Sequence, residues 1–222
     1  MELEKVTKAD RRRYDDACGA ALGMEYVGER WALLLMRELL LGPRRFGELR
    51  AGLPGISANV LTQRLAGLEA AGIVHRHRLP PPANVQVYEL TRWGYESEDV
   101  VLALAKWALR SPTHDPTLPF SAVSLMLSLK MLLVAERAGD WQARVAFRFG
   151  DDGYVATLAD GALQVRRGQG VVDATLSGAP SAFLPVVYGG RPLAMVAAIA
   201  VEGNRAIAER FTSLFRLPPK VE

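Results

Sequence analysis

No feature restricts the fold of this chain more than the stretch Ser57–Arg78, SANVLTQRLAGLEAAGIVHRHR, because its periodicity changes once and sharply. Leu61, Leu65 and Leu68 are spaced i, i+4, i+7 and fall on one face of a helix, while Asn59 and Gln63 turn their amide heads the other way. Ser57 is a good N-cap and Gly72 a flexible C-terminal stop, which gives a helix of about fourteen residues and roughly 21 Å. From Ile73 to Leu79 the pattern is extended, Pro80-Pro81-Pro82-Ala83-Asn84 interrupts it, and Val85 to Leu90 resumes it. Three consecutive prolines have no amide to donate to a ladder, so they belong at the tip of a hairpin and not in its body. The spacing predicts a helix with one buried and one polar face, running straight into a two-stranded wing.

The residues before this stretch supply a core for it. Ala17–Val27 reads as a helix with Leu22 and Tyr26 one turn apart and Gly28 as its stop. Glu29–Leu41 is a second helix whose Trp31, Leu34, Leu35, Leu39 and Leu41 form a broad apolar face, and Gly42-Pro43 closes it. Arg44–Leu49 opens a short third helix in which Phe46 and Leu49 anchor the core and the arginines stay exposed. After the turn Gly52–Gly55 comes the helix described above, so the order is helix, turn, amphipathic helix. Thr91–Arg110 reads as one long helix with Val100, Leu104 and Trp107 on a single face, suited to packing on a second copy of the chain.

Ser111–Pro119, SPTHDPTLP, has three prolines in nine residues and no periodicity, which marks a linker. The expected division is residues 1–111, a linker over 112–119, and a second domain over 120–222. There Phe120–Gly139 reads as an apolar helix covering a sheet, with Leu125, Leu129, Leu132 and Leu133 on one face. Arg144–Phe149, Tyr154–Ala159, Leu163–Arg167 and Val171–Leu176 alternate as short strands, with Gly150-Asp151-Asp152 as a hairpin turn. Pro180–Tyr188, Arg191–Val201 and Asn204–Phe215 read as mostly helical. The expectation is an α+β domain, helices packed on an antiparallel sheet.

Composition removes several classes. Of 222 residues, half are hydrophobic and 23% charged, enough apolar material for two cores of about a hundred residues each. The net charge is only +3, but Arg44–Arg78 holds six basic residues against two acidic ones, an excess of +4 that leaves −1 for the remainder. The basic character is therefore local. A single cysteine, Cys18, excludes an intrachain disulfide framework and fits a reducing compartment. The N-terminus is too charged for a signal peptide, and the apolar run Phe120–Ala135 is shorter than a membrane span and carries Lys130. A cytoplasmic chain with no membrane association is expected. There is no nucleophile triad, no phosphate-cradling loop and no cofactor motif, so neither an enzyme nor a bound cofactor is expected.

Residues 18 to 107 resemble the HxlR-type winged-helix regulators, relatives of the MarR group. The linked pieces are Cys18, Glu29-Arg30-Trp31, Arg44-Arg45-Phe46-Gly47-Glu48-Leu49, Ile56-Ser57 with Val60–Leu65, Leu68-Glu69 with Gly72-Ile73-Val74, and Tyr88-Glu89-Leu90-Thr91 with Gly94. The resemblance implies a homodimer that binds double-stranded DNA near promoters, with the fourth helix in the major groove and the wings on flanking backbone. Members of that family sense oxidants or electrophiles through a cysteine near the position of Cys18. The second half, from Phe120 to Pro218, is similar to the sterol-carrier-protein fold, a sheet and helices enclosing an apolar tunnel. The carrying residues are Asp173–Ser177, Ala182-Phe183-Leu184 with Tyr188-Gly189-Gly190, and Val201–Asn204 leading to Leu214–Pro218. Asn204 stands where that pattern usually has an Asp.

These readings give named expectations. Asn59 and Gln63 suit bidentate pairing with adenine edges, Thr62 donates to phosphate or base, and Ser57 and Arg64 flank them. Arg44, Arg45, Arg76 and Arg78 are expected as phosphate contacts that position without specifying. The bland alternatives are a solvated face for Asn59 and Gln63 and an ion pair of Arg64 with Glu48 or Glu69. Cys18, beside Arg11-Arg12-Arg13, is either a redox sensor or a small packing residue. Phe120, Leu125, Leu129, Phe183 and Val187 are expected to line a pocket for an apolar effector, or else simply to fill the second core. His75 and His77 alternate with Arg76 and Arg78, but their strand offers no carboxylate or cysteine, so no metal is expected. The alternative to a regulator is a hydrophobic-ligand carrier in which the winged helix is an interaction or dimerisation module.

Overall fold

The computed structural model describes residues 14–221. The first half runs α1 (Gly19–Val27), α2 (Ala32–Leu39), α3 (Phe46–Gly52), α4 (Ala58–Ala70), β1 (Val74–Arg78), β2 (Gln86–Leu90), α5 (Arg92–Tyr95) and α6 (Glu98–Ala108). Leu61, Leu65 and Leu68 of α4 are buried to within 2% of their surface, and Ser57 caps the helix by accepting from the Val60 amide. β1 and β2 pair antiparallel from Val74↔Leu90 to Arg78↔Gln86, and the prolines occupy the tip, closed by Leu79 N–H donating to the Val85 carbonyl. The expected long helix from Thr91 is two helices. Glu96 and Ser97 separate them, with Thr91 capping the first through the Gly94 amide.

Gly94 is required for the joint. A Cβ there would meet the Ile73 carbonyl oxygen at 2.2 Å, and that same oxygen accepts from the Thr91 amide where the wing turns into α5. Any side chain at this position forces α5 away from the root of the wing.

The second half runs α7 (Ala122–Leu132), α8 (Ala135–Ala138), β3 (Ala143–Phe149), β4 (Asp152–Ala159), β5 (Ala162–Arg167), β6 (Ala174–Ser177), α9 (Leu184–Val187), β7 (Ala200–Gly203) and α10 (Arg205–Thr212), with single 3-10 turns at Pro180–Phe183 and Leu193–Met195. Its sheet has the order β5-β4-β3-β6-β7. The expected antiparallel sheet is corrected here: β3 pairs parallel with β6, Val145↔Ala174 to Arg148↔Ser177, while the other neighbours are antiparallel. The chain crosses from one edge past two strands between β5 and β6, so these two, consecutive in sequence, are not neighbours in the sheet. The first two residues of β7 fall in the segment Arg191–Val201 expected to be helical; the strand is four residues long, and only Val201 of it is even partly buried, which leaves little alternation to read. Asn204 caps α10 through Oδ1 accepting from the Ile207 amide at 3.2 Å, the cap an Asp would make.

One apolar cluster extends through both halves. α7 joins them, with Val123, Leu125, Met126, Leu127, Leu129 and Leu132 all buried, so that no apolar position on it faces solvent. It packs on β4 and β5 on one side and on α2 and α6 on the other. Polar contacts follow the same seam. Ser121 donates to the buried Glu38 at 2.7 Å, and Lys130 of α7 pairs with Glu98 of α6. At the far end the Lys220 ammonium donates to the Leu109 and Ser111 carbonyls, tying the C-terminal tail to the end of α6. Among the described residues no helix is long and apolar enough to cross a membrane.

Arg44 is the strongest of these links and a correction to the sequence reading, which left it free for phosphate. It is 5% exposed, and its guanidinium donates twice to Asp152, at 3.0 and 2.9 Å, and once to the Tyr154 hydroxyl at 2.6 Å. Its backbone exchanges both hydrogen bonds with Tyr88 of β2. Burial opposes its charge, but Tyr154, Asp152 and Glu38 outweigh that penalty and hold the proton. Removing it leaves Asp152 without its donor and the buried Tyr154 hydroxyl with only the longer contact from Arg167, 3.4 Å. Arg44→Ala is therefore expected to cost about 3 kcal/mol, the low end for breaking a buried pair because Asp152 keeps some water. In thermal denaturation that is a fall of roughly 6–12 °C for a chain of this size, and part of it should return in the Arg44→Ala/Asp152→Ala double variant. A melting point within a degree of the parent would contradict the latch.

Candidate nucleic-acid interface

The residues expected to meet DNA separate into three groups once their neighbours are known. Asn59 and Gln63 are exposed on α4, one turn apart, on the side opposite the buried leucines, and among the described residues neither amide is hydrogen-bonded to another side chain. Thr62 is exposed beside them, but its hydroxyl donates to the Ala58 carbonyl at 2.9 Å, so as it stands it offers only lone pairs. Ser57, exposed at the head of the helix, has its oxygen committed to the cap and its proton free.

The cations divide in the same way. Arg45 is exposed at the N-cap position of α3, held there by its own amide donating to Glu48 at 2.7 Å, and its guanidinium reaches solvent. Arg50, in the last turn of α3, is exposed too; it contributes to the local basic excess but carried no assignment from sequence. Arg76 on β1 is exposed, with only a 4.0 Å approach to Glu69, a contact worth little at the surface. Arg78 braces the wing tip through the Asn84 carbonyl at 3.1 Å.

Two of the expected contacts are committed elsewhere. Arg44 is locked to the second half, as described. Arg64 makes an ion pair with Glu29 at 2.8 Å, tying α4 to the residues before α2; the alternative expected partners, Glu48 and Glu69, are not the ones used. What remains is an exposed polar helix face with Arg45 and Arg50 exposed on the preceding helix and Arg76 exposed on the wing.

The expected effector pocket is corrected. Leu125, Leu129, Phe183 and Val187 are at most 2% exposed and fill the second core, where Phe183 packs against Phe147 and Phe149. Of the five, Phe120 lines a cavity. That cavity, of about 780 Å³, lies between α6 and α7, with Leu102 and Leu109 on one wall and Leu127 and Met131 on the other. Its polar groups include Arg37, Arg110, His114, Ser124, Ser128 and Tyr188, the last bonded to Ser128 and pushed up in pKa by burial. Sequence periodicity placed the pocket under the helix; the face that lines it is the opposite one.

On the other side of α6, Val100 and Leu104 stand in solvent, and Trp107, at 71% exposure, adjoins them while also reaching the rim of the cavity. Leu22 and Met24 of α1 are also exposed, and α1 buries none of its residues. Isolated exposed apolar residues mean little, but three on one helical face form a patch that favours a partner.

The hairpin brings together three residues that sequence reading kept apart. Glu89 lies directly across from His75 in the β1–β2 register, and its carboxylate is 2.8 Å from His77 Nε2 and 3.7 Å from His75 Nε2. The carboxylate missing along β1 is supplied by β2. The antiparallel register carries that signal, readable only once the turn length is known.

The HxlR-like helix-turn-helix family matches residues 26–115. The uncharacterized HTH-type transcriptional regulator YybR of Bacillus subtilis is 35% identical over 95 residues, 41% of this chain and 74% of the relative. YvaP, another uncharacterized HTH-type transcriptional regulator of the same organism, is 36% identical over 86 residues, 38% of this chain and 79% of the relative. Among solved structures, the redox regulator HypR in its oxidized form aligns with 41% of this chain and 94% of its own at 33% identity and a TM-score of 0.38.

Cys18 is exposed at the N-cap position of α1. The run Arg11–Arg13, expected to influence it, lies outside the described residues. The amides of Ala20 and then Ala21 draw its pKa down, although neither closes a cap hydrogen bond to the sulfur. One thiol per chain should react with Ellman's reagent in the native protein, and none in Cys18→Ser. The rate should rise with pH through a midpoint below that of a free thiol, about 8.5. An unreactive native thiol, or a midpoint at the free value, would count against any sensing role.

Proposed function

The chain belongs to the HxlR-like helix-turn-helix family of transcriptional regulators, and we propose that it acts as a homodimer on an inverted-repeat operator, reading bases with α4. The observation that carries this reading is the pairing of two unengaged amides, Asn59 and Gln63, with a helix whose other face is wholly buried. An amide on a fixed helix meets an adenine edge with two hydrogen bonds at little entropic cost. The exposed face of α6, Val100, Leu104 and Trp107, supports self-association; a two-fold pair places its α4 helices about 34 Å apart, one turn of B-DNA.

The second half is read as a sterol-carrier-like module that admits an apolar effector. Support comes from a five-stranded sheet backed by helices and from the cavity between α6 and α7, whose volume falls in the range of small-molecule sites. α6 is wall to that cavity on one face and apolar patch on the other, so an occupant that moves α6 changes the spacing of the two reading helices. Its effect is limited by its difference in affinity for the two arrangements.

Footprinting on the region upstream of the chain's own coding sequence tests the first part. Asn59→Ala/Gln63→Ala should lose operator preference, two pairs at about 1–3 kcal/mol each, while nonspecific binding persists. Full sequence preference in that variant would sink the assignment of α4. Arg45→Ala and Arg76→Ala should each reduce the slope of log K against log salt by about 0.9, whereas folded Arg44→Ala should leave it unchanged. For the pocket, decanoate should displace the fluorescent probe 1-anilinonaphthalene-8-sulfonate from the parent and find nothing to displace in Ala105→Trp. Equal displacement in both would remove the effector reading without touching the DNA one.

A further inference from the structure

We propose that His75, His77 and Glu89 form a binding site for a divalent transition-metal ion of the zinc class on the wing hairpin. His75 and His77 are two apart on β1 and share a face, with their rings stacked at 4.9 Å between centroids and 28° between planes. Glu89 comes from β2, opposite His75. One ligand atom from each of the three lies within 4.8 Å of the others. A tetrahedral ion with bonds of about 2.0–2.1 Å places its ligands about 3.3 Å apart. The two imidazole-to-carboxylate distances, 2.8 and 3.7 Å, lie on either side of that value, so a change of about half an ångström in each brings both imidazoles to ligand spacing from the carboxylate.

The chemistry of the donors selects the ion. Two imidazoles and one carboxylate suit zinc and its late first-row neighbours, and are too nitrogen-rich and too few for calcium or magnesium. The Tyr95 hydroxyl donates to the other oxygen of Glu89 at 3.3 Å, the outer-shell contact that orients a ligating carboxylate. Glu89 and His77 are only half-buried and His75 is exposed, which leaves a fourth coordination position for water and an open path for the ion. A bound ion would cross-link β1 to β2 near the root of the wing, on the face opposite Arg76 and Arg78. The site is independent of whether the helix reads DNA and of whether the cavity takes an effector.

The chain has three histidines, His75, His77 and His114, which makes the test clean. Tag-free, chelator-treated full-length protein is titrated with Co2+, read by its visible d–d absorption, and then with Zn2+ in competition. One equivalent per chain with a tetrahedral spectrum, displaced by Zn2+, is the expected result. His75→Ala, His77→Ala and Glu89→Gln should each weaken binding at least tenfold while circular dichroism stays that of the parent; Tyr95→Phe should weaken it by about tenfold, the low end for an outer-shell partner. His114→Ala and Cys18→Ser should bind as the parent does. Parent-level affinity in Glu89→Gln and His77→Ala, equal loss in His114→Ala or Cys18→Ser, or no spectrum at one equivalent of Co2+ would each overturn the site.

Discussion

α7 has no fully exposed apolar residue, and the architecture follows from that. A helix buried on one face can be docked or undocked; one buried on every face must be enclosed before it is stable. The sheet encloses α7 from one side through β4 and β5, and α2 and α6 enclose it from the other. Two halves that look separable along the chain therefore share an interior. The proline-containing segment between them joins two bodies that are already in contact, and the polar links, Ser121 to Glu38, Lys130 to Glu98 and Arg44 to Asp152, lie around the rim of that interior.

Much of the first half was legible in the sequence. Leucines at helical spacing, a capping serine and a run of prolines each act through local chemistry, and α4 and the wing appear where those signals place them. What could not be read depends on residues far apart. Arg44 and Arg45 are adjacent and chemically identical, yet one is buried and the other exposed; the difference is Asp152, 108 positions away. Arg64 is the same case with Glu29. For α7 the apolar period correctly gave a helix, but a helix apolar all round has no preferred face, so the choice of Leu125 and Leu129 over Leu127 and Met131 as cavity wall had no basis in sequence. The parallel pairing of β3 with β6 escapes for a related reason: strand composition does not encode which neighbour a strand will take.

α6 shows how the two halves divide one element. Its inner residues, Val101 among them, join the common core, its cavity-facing residues meet α7, and its outer residues remain in solvent. Glu98 at its start and the Leu109 carbonyl at its end are both held by lysines of the second half. The helix is clamped at both ends and free along one side, so displacement of α7 is passed to it as a rigid shift and not absorbed by fraying.

Arg44 has a mechanical meaning beyond its contribution to stability. Its main chain lies beside Tyr88 as a short third strand of the wing, and its side chain grips the first residue of β4. A single residue is thus mortised into the second sheet and against the wing, with the Arg167 guanidinium donating to the Pro43 carbonyl beside it. The β3–β4 turn therefore bears directly on the base of the wing at that joint, and not by way of α4.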